Sequence, residues 1–301
     1  MAISRSQLMK ELLPGLNSLF GLEYKQYPEE WRSWNEVESS DRSFEEEVKL
    51  SGFGLAPVKD EGSAISYDDA QEAYTSRYTH STIAMGFSLT EEAVEDNLYT
   101  SLSARYTKAL ARAMAHTKEV KAAAIINEGH TGQVGGDGVN LFHTAHPLVN
   151  GGSNANKPTV ATDLNETSLE AAIIAIGKWT DERGLKIAAK PSKLIIPSDL
   201  QFEAERILKS SGRVGTADND INAIMSTSAI PGGYMIGHHL SDADQWQLAT
   251  DIPNGLKSFT RVAMKTAMEG DFETGNVRYK ARERYSFGYS DPLGMYSSPG
   301  A

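Results

Sequence analysis

Seven histidines and no cysteine bound the chemistry open to this chain. Without cysteine there is no disulfide framework, no thiolate metal site and no thiol nucleophile. The close histidine pairs are His143-Thr-Ala-His146 and His238-His239. Imidazoles three apart on a helix could share a metal, which would make His143 and His146 the centre of a metal-dependent hydrolase. Pro147 and the glycines before it make 130–147 a poor helix, and no Asp or Glu completes a ligand set. His239 lies near Asp242 and Asp244, but no Gly-x-Ser-x-Gly elbow supplies a nucleophile. The run Gly129-His-Thr-Gly-Gln-Val-Gly-Gly-Asp-Gly138 could be mistaken for a phosphate cradle. It lacks the Gly-Lys-Ser/Thr ending of a P-loop and the following helix of a dinucleotide site, so it reads as a flexible connector. The carboxylate runs Glu45–Glu47 and Asp218–Asp220 read as solvated faces. No catalytic, cofactor-binding or metal constellation survives, and the reading is of a protein that is not an enzyme.

The composition is that of a soluble globular chain, with 301 residues, 40% of them hydrophobic and 23% charged. A net charge of −11 argues against a generic binder of nucleic acid or anionic membrane. No apolar run approaches the length of a membrane span, and the N-terminus carries no signal-peptide pattern, so synthesis is expected in the cytoplasm.

The element that organises the chain is a long amphipathic helix expected over 88–128. Ser88-Leu-Thr-Glu91 forms a capping box, and Val94, Leu98, Leu102, Leu110, Ala113, Val120 and Ala124 make its apolar stripe. At full length it would reach roughly 55–60 Å, a spine more than a packing element. Before it, a short helix near Leu8–Leu13 is expected to stop at Pro14-Gly15. An aperiodic arm follows, in which Trp31 and Trp34 look like anchors for another subunit. Phe44 to Leu50 and Tyr74 to Phe87 read as two polar strands around a loop rich in Gly and Pro, a hairpin that wants an external partner.

Beyond the connector, Thr167-Ser-Leu-Glu170 is a second capping box opening a helix to about Arg183. Strands at 193–197, 233–237 and 245–249 and a helix through Phe202 to Leu208 suggest a small α/β lobe over 185–255. The clearest strand is the last. Val277, Tyr279, Ala281, Tyr285, Phe287 and Tyr289 share one face, with Glu283 as the exception, and Arg278, Lys280, Arg282 and Arg284 share the other. That basic face could meet nucleic acid. The acidic run Glu45, Glu46, Glu47 of a neighbouring copy is the better match, given the overall negative charge.

In this order, the arm, hairpin, spine, lobe and closing strand resemble the major capsid proteins of tailed bacteriophages, with an α+β fold of the Hong Kong 97 type. Leu141-Phe-His-Thr-Ala-His-Pro147 is similar to a stretch of Mu-like head proteins. Pro191-Ser-Lys-Leu-Ile-Ile-Pro197 with Ala204-Glu-Arg-Ile-Leu208 resembles the start of the family's axial domain. Arg282-Glu-Arg-Tyr-Ser-Phe-Gly-Tyr-Ser-Asp-Pro292 resembles its closing strand. The resemblance implies an N-terminal arm (1–42), an E-loop hairpin (43–88), a peripheral domain with the spine helix (89–184 and 256–301) and an axial domain (185–255). It implies self-assembly as pentamers and hexamers into an icosahedral phage head that encloses double-stranded DNA, built in the bacterial host cytoplasm. The implied partners are a portal protein, a possible decoration protein and the packaged DNA, with no membrane. A chain that opens on Met1 leads us to expect a separate scaffolding protein in place of a cleaved fused segment. The nearest rival is an encapsulin-like nanocompartment shell, with the metal-dependent hydrolase the rival from another class.

Overall fold

The computed structural model describes residues 5–90, 92, 99–212, 220–271 and 274–301. In chain order, helix α1 (Arg5–Gln26) leads through a 3-10 turn (Glu30–Ser33) into strand β1 (Glu36–Ser39). Strands β2 (Phe44–Leu50), β3 (Glu72–Thr79) and β4 (Ser81–Leu89) follow, then helix α2 (Tyr99–Asn127). The short pair β5 (His146–Pro147) and β6 (Ser153–Asn154) precedes α3 (Glu166–Gly177), β7 (Pro191–Ile196), α4 (Gln201–Lys209) and α5 (Ala223–Ser226). The chain ends through β8 (Tyr234–Ile236), β9 (Trp246–Thr250), β10 (Leu256–Gly270), β11 (Val277–Tyr289) and β12 (Met295–Ser298).

Two four-stranded sheets carry the structure. The first has the order β1-β10-β11-β4, and α1 and α2 lie on one of its faces. The alternation of β11 explains the packing: Tyr279 and Ala281 turn inward to meet Leu110, Ala111 and Met114 of α2 and Leu16 and Phe20 of α1. Burying each large side chain of this kind contributes about 1.5–3 kcal/mol. The second sheet, β12-β9-β7-β8, is backed by α3, α4 and α5 around Leu169, Ile176, Leu194, Ile207, Trp246 and Leu248. A third apolar cluster, including Trp31, Ile126, Phe142, Ile195 and Tyr289, joins the two sheets.

Several expectations change. The capping box at Ser88 does not open the spine, because Ser88 and Leu89 pair with Arg278 and Val277 and close β4. Glu91, Val94 and Leu98 lie outside the described residues. The described helix is 29 residues, roughly 43 Å. Helix α1 runs straight past Pro14-Gly15 to Gln26. The lost amide and the glycine cost about 3 and 1 kcal/mol, and the burial of Leu16 and Phe20 beyond them favours continuation. The cap of α3 is Asn165, whose side chain accepts from Ser168 N–H, and the helix ends at Gly177, well short of Arg183. The expected return strand, 74–87, is two strands serving two partners, with the switch at His80 between β3 and β4. The connector 129–138 is a packed loop. A Cβ at Gly136 would lie 2.5 Å from the Thr75 carbonyl oxygen, so only glycine permits the approach of the loop to β3.

Candidate subunit interface

The hairpin β2–β3 is a two-stranded ribbon of its own, and its side-chain polarity is inverted. Glu47 and Lys49 turn toward the body, while Val48 and Leu50 stay exposed. Charge holds the ribbon down. Lys49 Nζ lies 2.9 Å from Asp291 and 3.2 Å from Glu182, a carboxylate whose side chain is 4% exposed. Lys257 Nζ bridges Glu47 at 2.5 Å and Glu38 at 2.8 Å. Burial opposes the charge on Lys257, yet these two hydrogen bonds raise its pKa above the usual range. Tyr74 donates its hydroxyl to the Ser290 carbonyl at 3.1 Å.

From this anchored base the loop 51–71 projects. Its ends are joined by Ser51 N–H donating to the Gln71 carbonyl and by Gln71 N–H donating to Ser51 Oγ. Midway, Asp68 accepts from Gly54 N–H at 2.8 Å and pairs with Arg183 at 2.5 Å. The Gly54 amide, then Arg183, holds its carboxyl below the ordinary carboxylate range. Every residue from 52 to 72 is exposed except the half-buried Gly54. Phe53, Leu55, Val58, Ile65 and Tyr67 are among them, with Val58 at 94% and Tyr67 at 92% exposure. Five large apolar side chains on one loop are thus left uncovered by the rest of the subunit.

The sequence-derived site residues are distributed differently from expectation. Trp31 and Trp34 are 1% and 9% exposed, inside this chain's own core, so they are not anchors for a second subunit. Trp31 packs edge-on against Phe287, with Lys118 and Arg32 over its ring. Its amide donates to Glu119 at 3.2 Å. The aperiodic arm is anchored because that turn buries its ring against the spine helix. Glu45, Glu46 and Glu47 are engaged within the chain. Glu45 accepts from Ser40 Oγ, Glu46 pairs with Arg77 at 3.7 Å, and Glu47 takes Lys257 and Ser290. On β11, Arg278, Lys280 and Arg282 are exposed and Arg284 is half-buried. Arg278 pairs with Asp271 at 2.5 Å. Sequence reasoning missed Arg261 and Lys265, which β10 adds beside this row, Lys265 directly opposite Arg282. The alternation of Lys265, Ala267 and Glu269 with Met264, Thr266 and Met268 was the available signal.

The two histidines considered for a metal serve other ends. His146 Nδ1 lies 2.6 Å from Asp137 and its Nε2 3.0 Å from Asn156 Oδ1, so both ring nitrogens are occupied. Asn156 in turn donates to the Leu141 and Pro292 carbonyls. His143 Nδ1 is taken by the backbone of Ala145. Among the described residues no group of three His, Asp or Glu side chains is placed to hold a metal.

A profile of the phage capsid protein family matches residues 72–298. This chain belongs to that family. Its α+β fold is the Hong Kong 97 type, and as a phage capsid protein it is a structural protein of the virion capsid. Among solved structures, the capsid of Cyanophage P-SCSP1u is similar with a TM-score of 0.58 and 10% identity, over 89% of this chain and 86% of that one. The capsid of a native GTA particle is similar with a TM-score of 0.54 and 15% identity, over 90% of each chain. A virus-like particle from Pyrococcus furiosus is similar with a TM-score of 0.53 and 11% identity, over 96% of this chain and 99% of that one. The chain spans 65% of the length of the bacteriophage JBD30 capsid chain. No curated protein matches its sequence.

Proposed function

We propose that this capsid protein self-assembles as pentamers and hexamers into an icosahedral tailed-phage head enclosing double-stranded DNA. The observation that carries the reading is the loop 51–71, which holds Phe53, Leu55, Val58, Ile65 and Tyr67 in the open on an anchored ribbon. A lone subunit gains nothing from such a loop. Covering each of these side chains with a neighbouring copy contributes up to about 1.5–3 kcal/mol, and a closed symmetric shell covers them in every copy.

In this reading residues 1–42 are the N-terminal arm, 43–88 the E-loop, 89–184 and 256–301 the peripheral domain, and 185–255 the axial domain. The part of the E-loop that leaves the body is 44–79, since β4 returns into the main sheet. The row Arg278, Lys280, Arg282 and Arg284 faces an acidic segment of the next copy. A separate scaffolding protein guides assembly in the bacterial host cytoplasm, a portal protein occupies one vertex, decoration proteins bind outside, and the DNA lies within.

The test is electron microscopy with mass photometry on the purified protein, beside a variant whose residues 52–70 are replaced by a short Gly-Ser turn. Shells, tubes or five- and six-membered rings are expected from the native chain. Only monomers are expected from the variant, at an unchanged melting temperature. A native chain that stays monomeric or dimeric, even with its scaffolding partner, would sink the proposal. Shells filled with a protein cargo in place of DNA would instead support the encapsulin-like alternative.

A further inference from the structure

We infer that Arg261 and Arg284 form a carboxylate receptor, filled in the assembled shell by Asp60 and Glu61 from the loop of a neighbouring copy. Arg284 stands between Val262 of β10 and Thr82 of β4, and Arg261 sits at the adjacent bulge of β10. Both are half-buried. The Nε of each is enclosed by protein and has no hydrogen-bond partner. Neither guanidinium makes an ion pair among the described residues, unlike those of Arg278, Arg77 and Arg183. The strand register sets Arg284 opposite Val262, the residue next to Arg261. Burial first, then Arg284, and also Arg261, lower the pKa of His80, with Glu45 opposing them. Glu45 itself is held by Ser40 and reaches neither arginine.

Unpaired, partly desolvated guanidinium groups side by side are costly, and a carboxylate that brings hydrogen-bond acceptors to them removes that cost. The surroundings select an approach from solvent. Lys280, Arg282 and Lys265 extend the positive row along the sheet, while Ala84 and Gly86 beside them on β4 leave a low shelf. A Cβ at Gly86 would lie 2.6 Å from the Tyr279 carbonyl oxygen, so this shelf stays at backbone height.

The chain carries the complementary segment. With Glu45, Glu46 and Glu47 engaged internally, the carboxylates of the hairpin that remain open are those of its loop and Glu72 at the start of β3. Asp60 and Glu61 lie at the loop's apex turn and form no side-chain ion pair among the described residues, whereas Asp68 is held by Arg183. Beyond the tie of Gly54 to Asp68, the seven residues from Leu55 to Glu61 can extend about 23 Å from the subunit that carries them. The apolar residues around the apex would then lie over the shelf. This inference rests on the shell-forming reading and names the acidic segment that meets the basic sheet. A nucleic-acid phosphate is the competing occupant, and the test separates the two.

The variant Arg261→Glu/Arg284→Glu is compared with the native chain by shell yield in light scattering and electron microscopy, with melting temperature as the control for folding. About a tenfold loss of yield at unchanged melting is expected, since like charges then face each other across the contact. Adding Asp60→Lys/Glu61→Lys to the same chain is expected to restore the yield, because the pairing is reversed. Full yield from the arginine variant with reduced DNA content overturns the inference in favour of a phosphate occupant. Loss of yield that the loop reversal does not rescue also overturns it, while native shells in the same experiment leave the shell-forming reading intact. Absence of native shells removes both.

Discussion

Lys118 Nζ lies 3.3 Å from the Glu283 carboxylate, with the two side chains 10% and 2% exposed. Glu283 is the one charge on the inward face of β11, and the pair fastens that strand to the spine helix. Burial pushes the Glu283 pKa up and Lys118 pulls it back, while Tyr24 adds a hydrogen bond from α1. Removing one partner strands the other. Lys118→Met is therefore expected to destabilise the subunit by about 3–5 kcal/mol in denaturant unfolding, whereas Lys118→Met/Glu283→Leu recovers most of that loss. Equal losses from the single and double variants would mean that packing around Lys118, not the charge pair, sets its worth.

The arm's turn is expected to respond to pH through Glu119. Burial pushes its carboxyl up to about 7, against the opposing hydrogen bond from the Trp31 amide, with Glu30 adding repulsion. The folded value lies above the unfolded one near 4.5. The sign follows: the stabilising contribution is fully present below pH 4.5 and is lost as pH rises through about 7. Melting temperature is expected to fall between pH 5 and 8, and tryptophan fluorescence to report looser docking of Trp31. Glu119→Gln should flatten that part of the profile, and an unchanged slope in the variant would assign the effect to another group.

Period alone made much of this architecture readable. The alternation of Val277, Tyr279 and Ala281 with Arg278, Lys280 and Arg282 translates directly into a buried and an open face. The stripe through Leu110 and Ala113 belongs to a helix as expected, and β11 spans the expected 277–289, whereas the α/β lobe draws in α3 and β12 from outside 185–255. Boundaries failed where a tertiary contact outweighed a local signal. Ser88 has the spacing of a cap but a strand partner in Arg278, and Pro14 has the chemistry of a stop but apolar neighbours that favour continuation. The candidate interface was legible by composition, less so by residue. Nothing local distinguishes a tryptophan that anchors a neighbour from one, like Trp31, that anchors its own arm. Glu45 to Glu47 look free in sequence because their partners Ser40, Arg77 and Lys257 are brought to them only by folding.

The histidine pair offers a sharp contrast. His146 is buried with both nitrogens bonded, whereas His143 is half-buried and its ring bonds only the backbone of Ala145. His146→Ala strips Asp137 Oδ2 of its buried partner and takes one of the two partners of Asn156 Oδ1, and is expected to cost about 1–3 kcal/mol. His143→Ala should stay within about 0.5 kcal/mol of the native chain. A shared metal would instead make the two losses equal and would make native stability sensitive to a chelator, so denaturation with and without chelator decides between them.

Gly136 sets the seat of the projecting ribbon. An added Cβ would lie 2.5 Å from the Thr75 carbonyl oxygen and 2.7 Å from the Tyr74 ring, both in β3. Neither the strand backbone nor a ring already bonded to Ser290 can yield cheaply. Gly136→Ala is therefore expected to cost about 1–3 kcal/mol and to lift the base of the hairpin. Gly132→Ala is the control in the same loop, since its Cβ would meet only an ordinary contact at 3.6 Å and should stay within about 0.5 kcal/mol. A small tilt at the ribbon's base displaces its apex by a larger distance, so shell yield should fall further in Gly136→Ala than in an equally destabilised core variant. Equal yields at matched melting temperature would show that the loop finds its neighbour regardless of how the ribbon is seated.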